Sequence, residues 1–535
     1  MPSASTRPRP LVLLIIDGYG ISFVEEGNAI AAAKKPNIDR LMREYPLAAV
    51  KAAGIEVGLP WGEMGNSETG HQNIGSGRVI YQMLPRISLA IEDGSFFENP
   101  VLLKAAAHVK KTPGAALHTI GVLSNGGVHG HIDHQLALLK FAAQHGLSDR
   151  LYVHAFLDGR DSPPDSAGNF INQLDQAIQE VGAGRLSTMI GRYFAMDRAN
   201  NWERTQKAYD LLVRGQGEMF PTWQEAAQAA YKETDNKSFE IAPPMMISQD
   251  GESPRLISSG DAVVFYNYRP DRAYQLAAAF TQKNFKEFPT EPLKNLMFAT
   301  MGDYGGDLPV EVVFPKEGVK HPLAKTFAEY KLKQLRIAES EKFAHVTYFF
   351  NGGEEKPYPG EDRIEIPSLK IRDINKNPEM KAIEITDKVV ETIQNGTHDV
   401  IIMNYANPDM VGHTGKFKAT VQAVEIIDEQ IGRVAEAALA AGGAVLITCD
   451  HGNAEMMIDQ ISQKKGSTDH TNSSVPVIYA AAHNRQDPPK GQDIVDQLLM
   501  TPIGVLADVA PTVLEILELP QPKDMTAQSL LNSLA

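Results

Sequence analysis

The chain holds one cysteine, Cys449, in 535 residues. A single thiol excludes any intrachain disulfide framework and fits a reducing compartment. Long apolar runs are also missing. The longest, Ala437 to Cys449, is interrupted by Gly442 and Gly443 and falls short of the roughly 20 residues that a membrane-spanning helix needs. Positive charge is in deficit: 51 Lys and Arg against 66 Asp and Glu leave a formal charge of −15. That balance argues against a general nucleic-acid or membrane-surface binder, although a local arginine cluster can still hold an anionic small molecule. There is no internal repeat and no low-complexity segment. The opening residues, Met1 to Pro10, are polar and proline-punctuated and do not resemble a signal peptide. A cytoplasmic protein is expected, with no nucleic-acid or membrane partner.

What is present is the composition of a globular protein, 43% hydrophobic and 22% charged. The length suggests two to four domains. Leu11–Ile16 is a short, continuously apolar run, as expected of a strand buried on both faces of a parallel sheet. It ends in Asp17, where open α/β sheets place ligand-binding residues. Asn37–Tyr45 reads as a helix. Then comes Gly62-Glu63-Met64-Gly65-Asn66-Ser67-Glu68-Thr69-Gly70-His71, a serine just ahead of a plausible helix start, with Gly65 giving the backbone room to bend. A serine hydroxyl is a poor nucleophile unless a base or a metal ion activates it.

From about Gln82 the character changes. Helical patterns at Leu89–Ala107, Leu136–Gln144 and Asn169–Glu180 alternate with strand-like runs at Leu117–Leu123, Leu151–Leu157, Ser187–Ile190 and Ala262–Asn267, which predicts a second α/β domain. Each strand is followed by imidazole or charged residues: His129 after the first, Arg160 and Asp161 after the second, Arg192 and Arg198 after the third, Arg269 and Arg272 after the fourth. A lone loop arginine is usually a solvated surface residue. Five, with a histidine, in repeating positions suggest a focused anion site, because guanidinium forks suit phosphate and carboxylate oxygens.

Val312–Pro322 is charged, proline-bounded and a linker candidate. Beyond it, Leu323–Leu332, Asp387–Asn395 and Ala419–Ala441 read as helices, and Ala344–Phe350, Asp399–Met403 and Ala444–Cys449 as strands. Three clusters of ligand-type residues follow: Asp409 with His413, Asp450 with His451, and His470 after the loop Gln463–Gly466. Singly each is weak, since a histidine is more often a surface or satisfied core residue. Together with Asp17 and Ser67 they supply three carboxylates, three imidazoles and a hydroxyl. That set suits two divalent ions, Mn2+ or Zn2+ for mixed O/N donors and Mg2+ at an oxygen-rich site. Two ions about 3.5–4 Å apart could activate an alkoxide and balance charge on a phosphoryl group.

The motifs Gly62–His71 with Asn73–Arg78, Gly126–His129, Asp158–Asp161, Tyr268–Arg272, Leu335–Val346 and Asp450–Asn453, in that order, resemble those of the cofactor-independent phosphoglycerate mutases of the alkaline phosphatase superfamily. The resemblance runs from about Leu11 to about Leu519. It implies an α/β fold in which a metal-binding phosphatase-like domain, 1–82 and 319–535, is interrupted by a phosphotransferase domain, 83–318. It implies interconversion of 3-phosphoglycerate and 2-phosphoglycerate through a phosphoserine on Ser67, by an isomerase that needs no 2,3-bisphosphoglycerate. Asp409, His413 and His470 would hold one ion, and Asp17, Ser67, Asp450 and His451 the other. Mn2+ is the first choice, with Mg2+, Zn2+ and Co2+ as alternatives. His129, Arg160, Asp161, Arg192, Arg198, Arg269, Arg272 and Lys342 match substrate-binding positions. Asp161 is similar to the proton-handling group on the glycerate hydroxyls, and Lys342 joins Ser67 in the catalytic set. A monomer acting on a small-molecule phosphoglycerate is expected. Three departures stand out: Gly130 replaces the usual serine, Asp469 replaces a small residue beside His470, where it could orient the imidazole, and Lys370–Asn377, which carries no ligand, differs from the usual pattern. The alternative reading is a metal-dependent phosphomonoesterase, which need not carry the inserted arginine loops; an inactive relative kept for binding is disfavoured by the presence of all seven candidate ligands.

Overall fold

The computed structural model describes residues 7–234, 237–248, 251–458 and 466–534, and of positions 371 and 372 only the backbone. Met1–Thr6 of the opening segment and Gln463–Lys465 of the loop before His470 lie outside the described residues. The chain divides into two compact units, Met1–Gln82 with Gly318–Ala535, and Met83–Glu317.

Among the described residues the first unit is built on an eight-stranded sheet in the order Glu361–Ile366, Gln334–Glu339, Val400–Tyr405, Leu11–Ile16, Ala444–Cys449, Val475–Ala481, Leu47–Lys51, Gly504–Val505. The five strands from Glu361–Ile366 to Ala444–Cys449 run parallel. Val475–Ala481 is antiparallel to both its neighbours. All six residues of Leu11–Ile16 are buried, which is why that strand reads as an unbroken apolar run: helices cover both faces of a parallel sheet. One of these, Phe417–Ala440, buries Val424, Ile427, Ile431, Val434 and Ala438, spaced three and four apart along one stripe.

Four adjacent parallel strands therefore end at one edge. The residues that follow them are Lys342, on the helix Ser340–Ala344; Asp409, on the helix Asn407–Gly412; Asp17; and Asp450 with His451.

The second unit carries its own eight-stranded sheet, ordered Glu311–Phe314, Met297–Gly302, Ala262–Phe265, Leu117–Leu123, Leu151–Leu157, Arg185–Gly191, Met245–Ile247, Glu218–Phe220. Among the described residues, only the Arg185–Gly191 and Met245–Ile247 pair is antiparallel. The loops that carry His129 and the five arginines follow four adjacent parallel strands, again at carboxyl ends. No described helix is long and apolar enough to cross a membrane.

Several expected elements differ. Leu89–Ala107 is not one helix but two, Met83–Glu92 and Pro100–Lys111, broken by Gly94 in a left-handed conformation and restarted at Pro100 behind the capping Asn99. Val312–Phe314, read as linker, belongs to a strand paired with Met297–Gly302. Ala344–Phe350, read as a strand, is helical, with a π-helical turn over His345–Phe349. Its β-branched and aromatic residues favour a sheet only where a slot exists, and both edges of Gln334–Glu339 are already taken. The segment packs instead with the buried Phe350 ring 4.4 Å from the Arg336 guanidinium.

Candidate active site

Ser67 is the first residue of the helix Ser67–Ser76, and Asn66 caps that helix by accepting from the Thr69 N–H at 2.9 Å. Gly65 is required here for close approach rather than for bending: a Cβ would lie 2.2 Å from the Ala52 carbonyl and 2.8 Å from His451 Cβ. The Ser67 hydroxyl is 6% exposed. It donates to Asp17 Oδ1 at 3.2 Å, lies 2.9 Å from His451 Nε2, and accepts from Lys342 Nζ at 2.7 Å. Lys342 Nζ also donates to Asp17 Oδ1 at 2.6 Å and to Asp409 Oδ2 at 2.7 Å. Burial alone would depress this ammonium, but Asp17, Asp409 and Asp450 outweigh it and hold it above the ordinary lysine range. Burial likewise opposes ionisation of Asp17, and Lys342 and His451 reverse that, keeping the carboxyl far below its usual range.

Asp409 Oδ1 lies 3.1 Å from His413 Nε2 and 3.2 Å from His470 Nε2, and the two imidazole nitrogens are 3.0 Å apart. The other nitrogen of each ring faces a backbone carbonyl: His413 Nδ1 that of Thr468 at 2.6 Å, His470 Nδ1 that of Gly65 at 2.8 Å. Those carbonyls fix the Nδ1–H tautomer and leave each Nε2 as a lone-pair donor. Three such atoms converging on one point need a positive charge among them, a proton or a metal cation. Asp450 Oδ2 is buried and takes no hydrogen bond, an oxygen that a cation would satisfy. It lies 3.5 Å from His451 Nε2, which is itself 3.3 Å from Asp17 Oδ1. Burial lowers His451, but Asp450 and Asp17 overcome this and push it up to about 10, so that a cation binding there displaces a proton.

The seven residues expected as ligands thus converge around Lys342. The structure adds one that the sequence reading missed. Asp17, His71 and Asp450 present ligand-type atoms within 4.8 Å of one another, as do Asp409, His451 and His470. Both ring nitrogens of His71 are in use, however. Nδ1 lies 2.9 Å from the Ser67 carbonyl and 3.2 Å from Asp450 Oδ2, while Nε2 faces the Asn404 amide at 3.1 Å. Asn404 also donates to Asp17 Oδ2 at 2.9 Å, so Asn404, itself held by His71, braces that carboxylate. Asn453 donates to Asp409 Oδ1 at 2.9 Å, and Glu455 accepts from the backbone N–H groups of Gly20 and Asn453. Signals for these existed: His71 is one helical turn beyond Ser67, and Asn404 is a polar residue inside an apolar strand. Asp469 does not orient His470. It is exposed and bonds Ser467, and the Gly65 carbonyl does that work.

In the second unit, Arg192 is 2% exposed and donates through Nη1 to Asp158 at 2.8 Å and Asp161 at 2.5 Å. Arg198 and Arg269 meet Asp271 at 2.8 and 3.0 Å, and Arg160 meets Glu240 at 3.6 Å. Arg272 donates to the Met196 carbonyl, and burial followed by Arg192, Arg198 and Arg160 depresses its guanidinium, the mark of a cation cluster. His129 lies 4.0 Å from Asp161 and 3.7 Å from Asp271; burial and then Arg192 lower it to about 4, so it is neutral near pH 7. Gly130 has a structural reason, since a Cβ would lie 2.9 Å from Val122 and 3.1 Å from the Asn267 amide oxygen. The substrate-binding positions expected in this unit therefore gather at the carboxyl ends of neighbouring strands, with Arg192 and His129 buried and Arg160, Arg198 and Arg269 about half exposed.

Comparison with known proteins bears on what this arrangement serves. Residues 9–521 match the Metalloenzyme superfamily. The chain is 47% identical over 523 residues to a 2,3-bisphosphoglycerate-independent phosphoglycerate mutase of Clostridium novyi (strain NT), covering 98% of this chain and 99% of that one. It is 46% identical to the protein of the same name from Pseudomonas fluorescens (strain Pf0-1), covering 98% and 100%. Among solved structures, Leishmania mexicana phosphoglycerate mutase at low cobalt concentration matches with 30% identity and a TM-score of 0.52, covering 98% of each chain. On this evidence the chain belongs to the 2,3-bisphosphoglycerate-independent phosphoglycerate mutases, within the metalloenzyme superfamily.

Proposed function

We propose that the chain interconverts 3-phosphoglycerate and 2-phosphoglycerate without 2,3-bisphosphoglycerate, by way of a phosphoserine on Ser67. The observation that carries this reading is the Ser67 hydroxyl, buried at a helix N-terminus and in hydrogen-bond reach of Lys342, Asp17 and His451 together. Asp409, His413 and His470 would hold one divalent ion, and Asp17, Ser67, Asp450 and His451 a second, with Mn2+ the expected species. Such ions, when bound, supply a lowered hydroxyl pKa and charge neutralisation for the phosphoryl group.

The chain's own residues do the remaining work. Lys342 stays cationic beside the hydroxyl and offsets charge as it develops on oxygen. The N-terminal end of the Ser67 helix presents backbone N–H groups suited to phosphate oxygens. Arg192, Arg198, Arg269 and Arg272 bind the anionic glycerate moiety, and Asp161, beside Arg192 and the neutral His129, exchanges a proton with its hydroxyls. Return of the phosphoryl group to the neighbouring hydroxyl completes the isomerisation. Phosphoryl transfer demands mainly positioning and charge stabilisation, which this set provides.

Phosphorus NMR of 3-phosphoglycerate, with Mn2+ and without added bisphosphoglycerate, tests the proposal. The 2-phosphoglycerate resonance is expected to grow to an equilibrium ratio and to be absent with Ser67→Ala. Free phosphate as the sole product would sink the mutase reading in favour of a phosphomonoesterase.

A further inference from the structure

We infer that Asp158 is the positioning residue on which the arginine site depends, an inference that rests on reading Arg160, Asp161 and Arg192 as substrate-binding groups. Asp158 follows strand Leu151–Leu157 directly and is 1% exposed. Its Oδ1 accepts three hydrogen bonds, from the Arg160 N–H at 3.1 Å, the Asp161 N–H at 3.2 Å and Arg192 Nη1 at 2.8 Å. Its Oδ2 accepts from the Ser124 hydroxyl at 2.5 Å, and Ser124 Oγ in turn accepts from the Gly126 N–H at 3.0 Å. One carboxylate thus joins the ends of three neighbouring strands, Leu117–Leu123, Leu151–Leu157 and Arg185–Gly191. Burial opposes its ionisation, but the bonds from Ser124, Arg192 and Arg160 prevail and hold it at about 2.

The division of labour with Asp161 follows from exposure and partners. Arg192 is buried, and a buried guanidinium needs a permanent counter-charge. Asp161 also reaches Arg192, but its side chain is 16% exposed and lies near His129. A group that exchanges protons with a ligand cannot serve as a constant counter-ion. Asp158, paired throughout, leaves Asp161 free to change its bonds. Both carboxylates use Arg192 Nη1, so the other edge of the guanidinium is not spent on them.

The test is a double-mutant cycle in the full-length, metal-loaded enzyme with Asp158→Asn and Arg192→Ala. The amide keeps an oxygen for the backbone N–H groups but removes the charge that pairs Arg192. Asp158→Asn is expected to lower kcat/KM about 10-fold or more, the worth of a charge-assisted hydrogen bond. The double variant should be no worse than Arg192→Ala by more than about threefold, while metal content stays near wild type. Additive losses, or an Asp158→Asn within about twofold of wild type beside a crippled Arg192→Ala, would overturn the inference and leave the substrate reading standing. An Arg192→Ala within about twofold of wild type would overturn the substrate reading, and the inference with it. Should Asp158→Asn fail to fold, Ser124→Ala replaces it. It removes one Asp158 bond outside the arginine loops, with an expected loss of about threefold in kcat/KM; no loss overturns the inference.

Discussion

The two units are alike in architecture and opposite in chemistry. Each is built on an eight-stranded, mostly parallel sheet, and each gathers its polar residues at the carboxyl ends of neighbouring strands. In the first unit the residues after those strands are Asp17, Asp409 and Asp450 with imidazoles, a buried acidic set in which Lys342 bonds two of the carboxylates. In the second they are guanidinium groups, with Asp158, Asp161 and Asp271 holding them apart. A parallel sheet fixes where a site forms, and the residues carried by the loops after each strand decide whether it attracts cations or anions.

That contrast can be attacked in order of expected effect. Lys342→Met removes the one cation bonded to Ser67, Asp17 and Asp409 together. We expect kcat to fall about 10²–10³-fold, measured by coupled assay, with a far smaller change in KM. A larger effect on KM than on kcat would place Lys342 in substrate binding alone.

Arg272→Ala should do the reverse. KM for 3-phosphoglycerate is expected to rise about 10-fold, while metal content by atomic emission stays unchanged. Loss of metal on this substitution would mean that the two chemistries are not separable.

Acid should also divide the units, in metal-free protein. In the second unit burial lowers His118, His134 and His154, His134 to about 3. The unfolded chain protonates these imidazoles near pH 6.5 and the folded unit does not, so their stability contribution is complete above about pH 6.5 and is lost progressively towards pH 3. In the first unit His413 is raised, mainly by its bond to Asp409, and His451 is raised to about 10. That contribution is fully present below about pH 6.5 and is lost as pH rises through the folded values. Hydrogen exchange from pH 8 to pH 5, corrected for intrinsic rates, should show strands Leu117–Leu123 and Leu151–Leu157 losing protection while Leu11–Ile16 and Ala444–Cys449 gain it. Parallel loss in both units would contradict this.

The smallest effect is expected for Asp469→Ala. Because the Gly65 carbonyl holds His470, and Asp469 is exposed, Mn2+ affinity by calorimetry should stay within about twofold of wild type.

Much of this was legible in the sequence, for a physical reason. Leu11–Ile16, Leu117–Leu123, Leu151–Leu157 and Ala444–Cys449 have the bounds the apolar runs predict, because strands covered on both faces tolerate few polar residues. Edge strands such as Glu361–Ile366, half exposed and charged, give no such run and were missed. Composition misread Ala344–Phe350, since both edges of the strand before it, Gln334–Glu339, are already paired. In the site, residues that end strands were visible as isolated acids, imidazoles and arginines. The pairings that brace them were not, although His71, Asn453 and Asp158 stand in the motifs themselves. His71, Asn404, Asn453 and Asp158 act through hydrogen bonds to other side chains, and such pairings depend on tertiary proximity, which spacing along the chain does not reveal.

On the proposed route Ser67 carries the phosphoryl group during turnover. The most direct test of that route is acid quenching of the Mn2+-loaded enzyme during turnover of 3-phosphoglycerate, followed by peptide mass spectrometry. A fraction of the peptide containing Ser67 is expected to gain the mass of one phosphoryl group, and this species to vanish with Ser67→Ala together with activity. Full turnover with the peptide unmodified, or sustained activity in Ser67→Ala, would contradict that route.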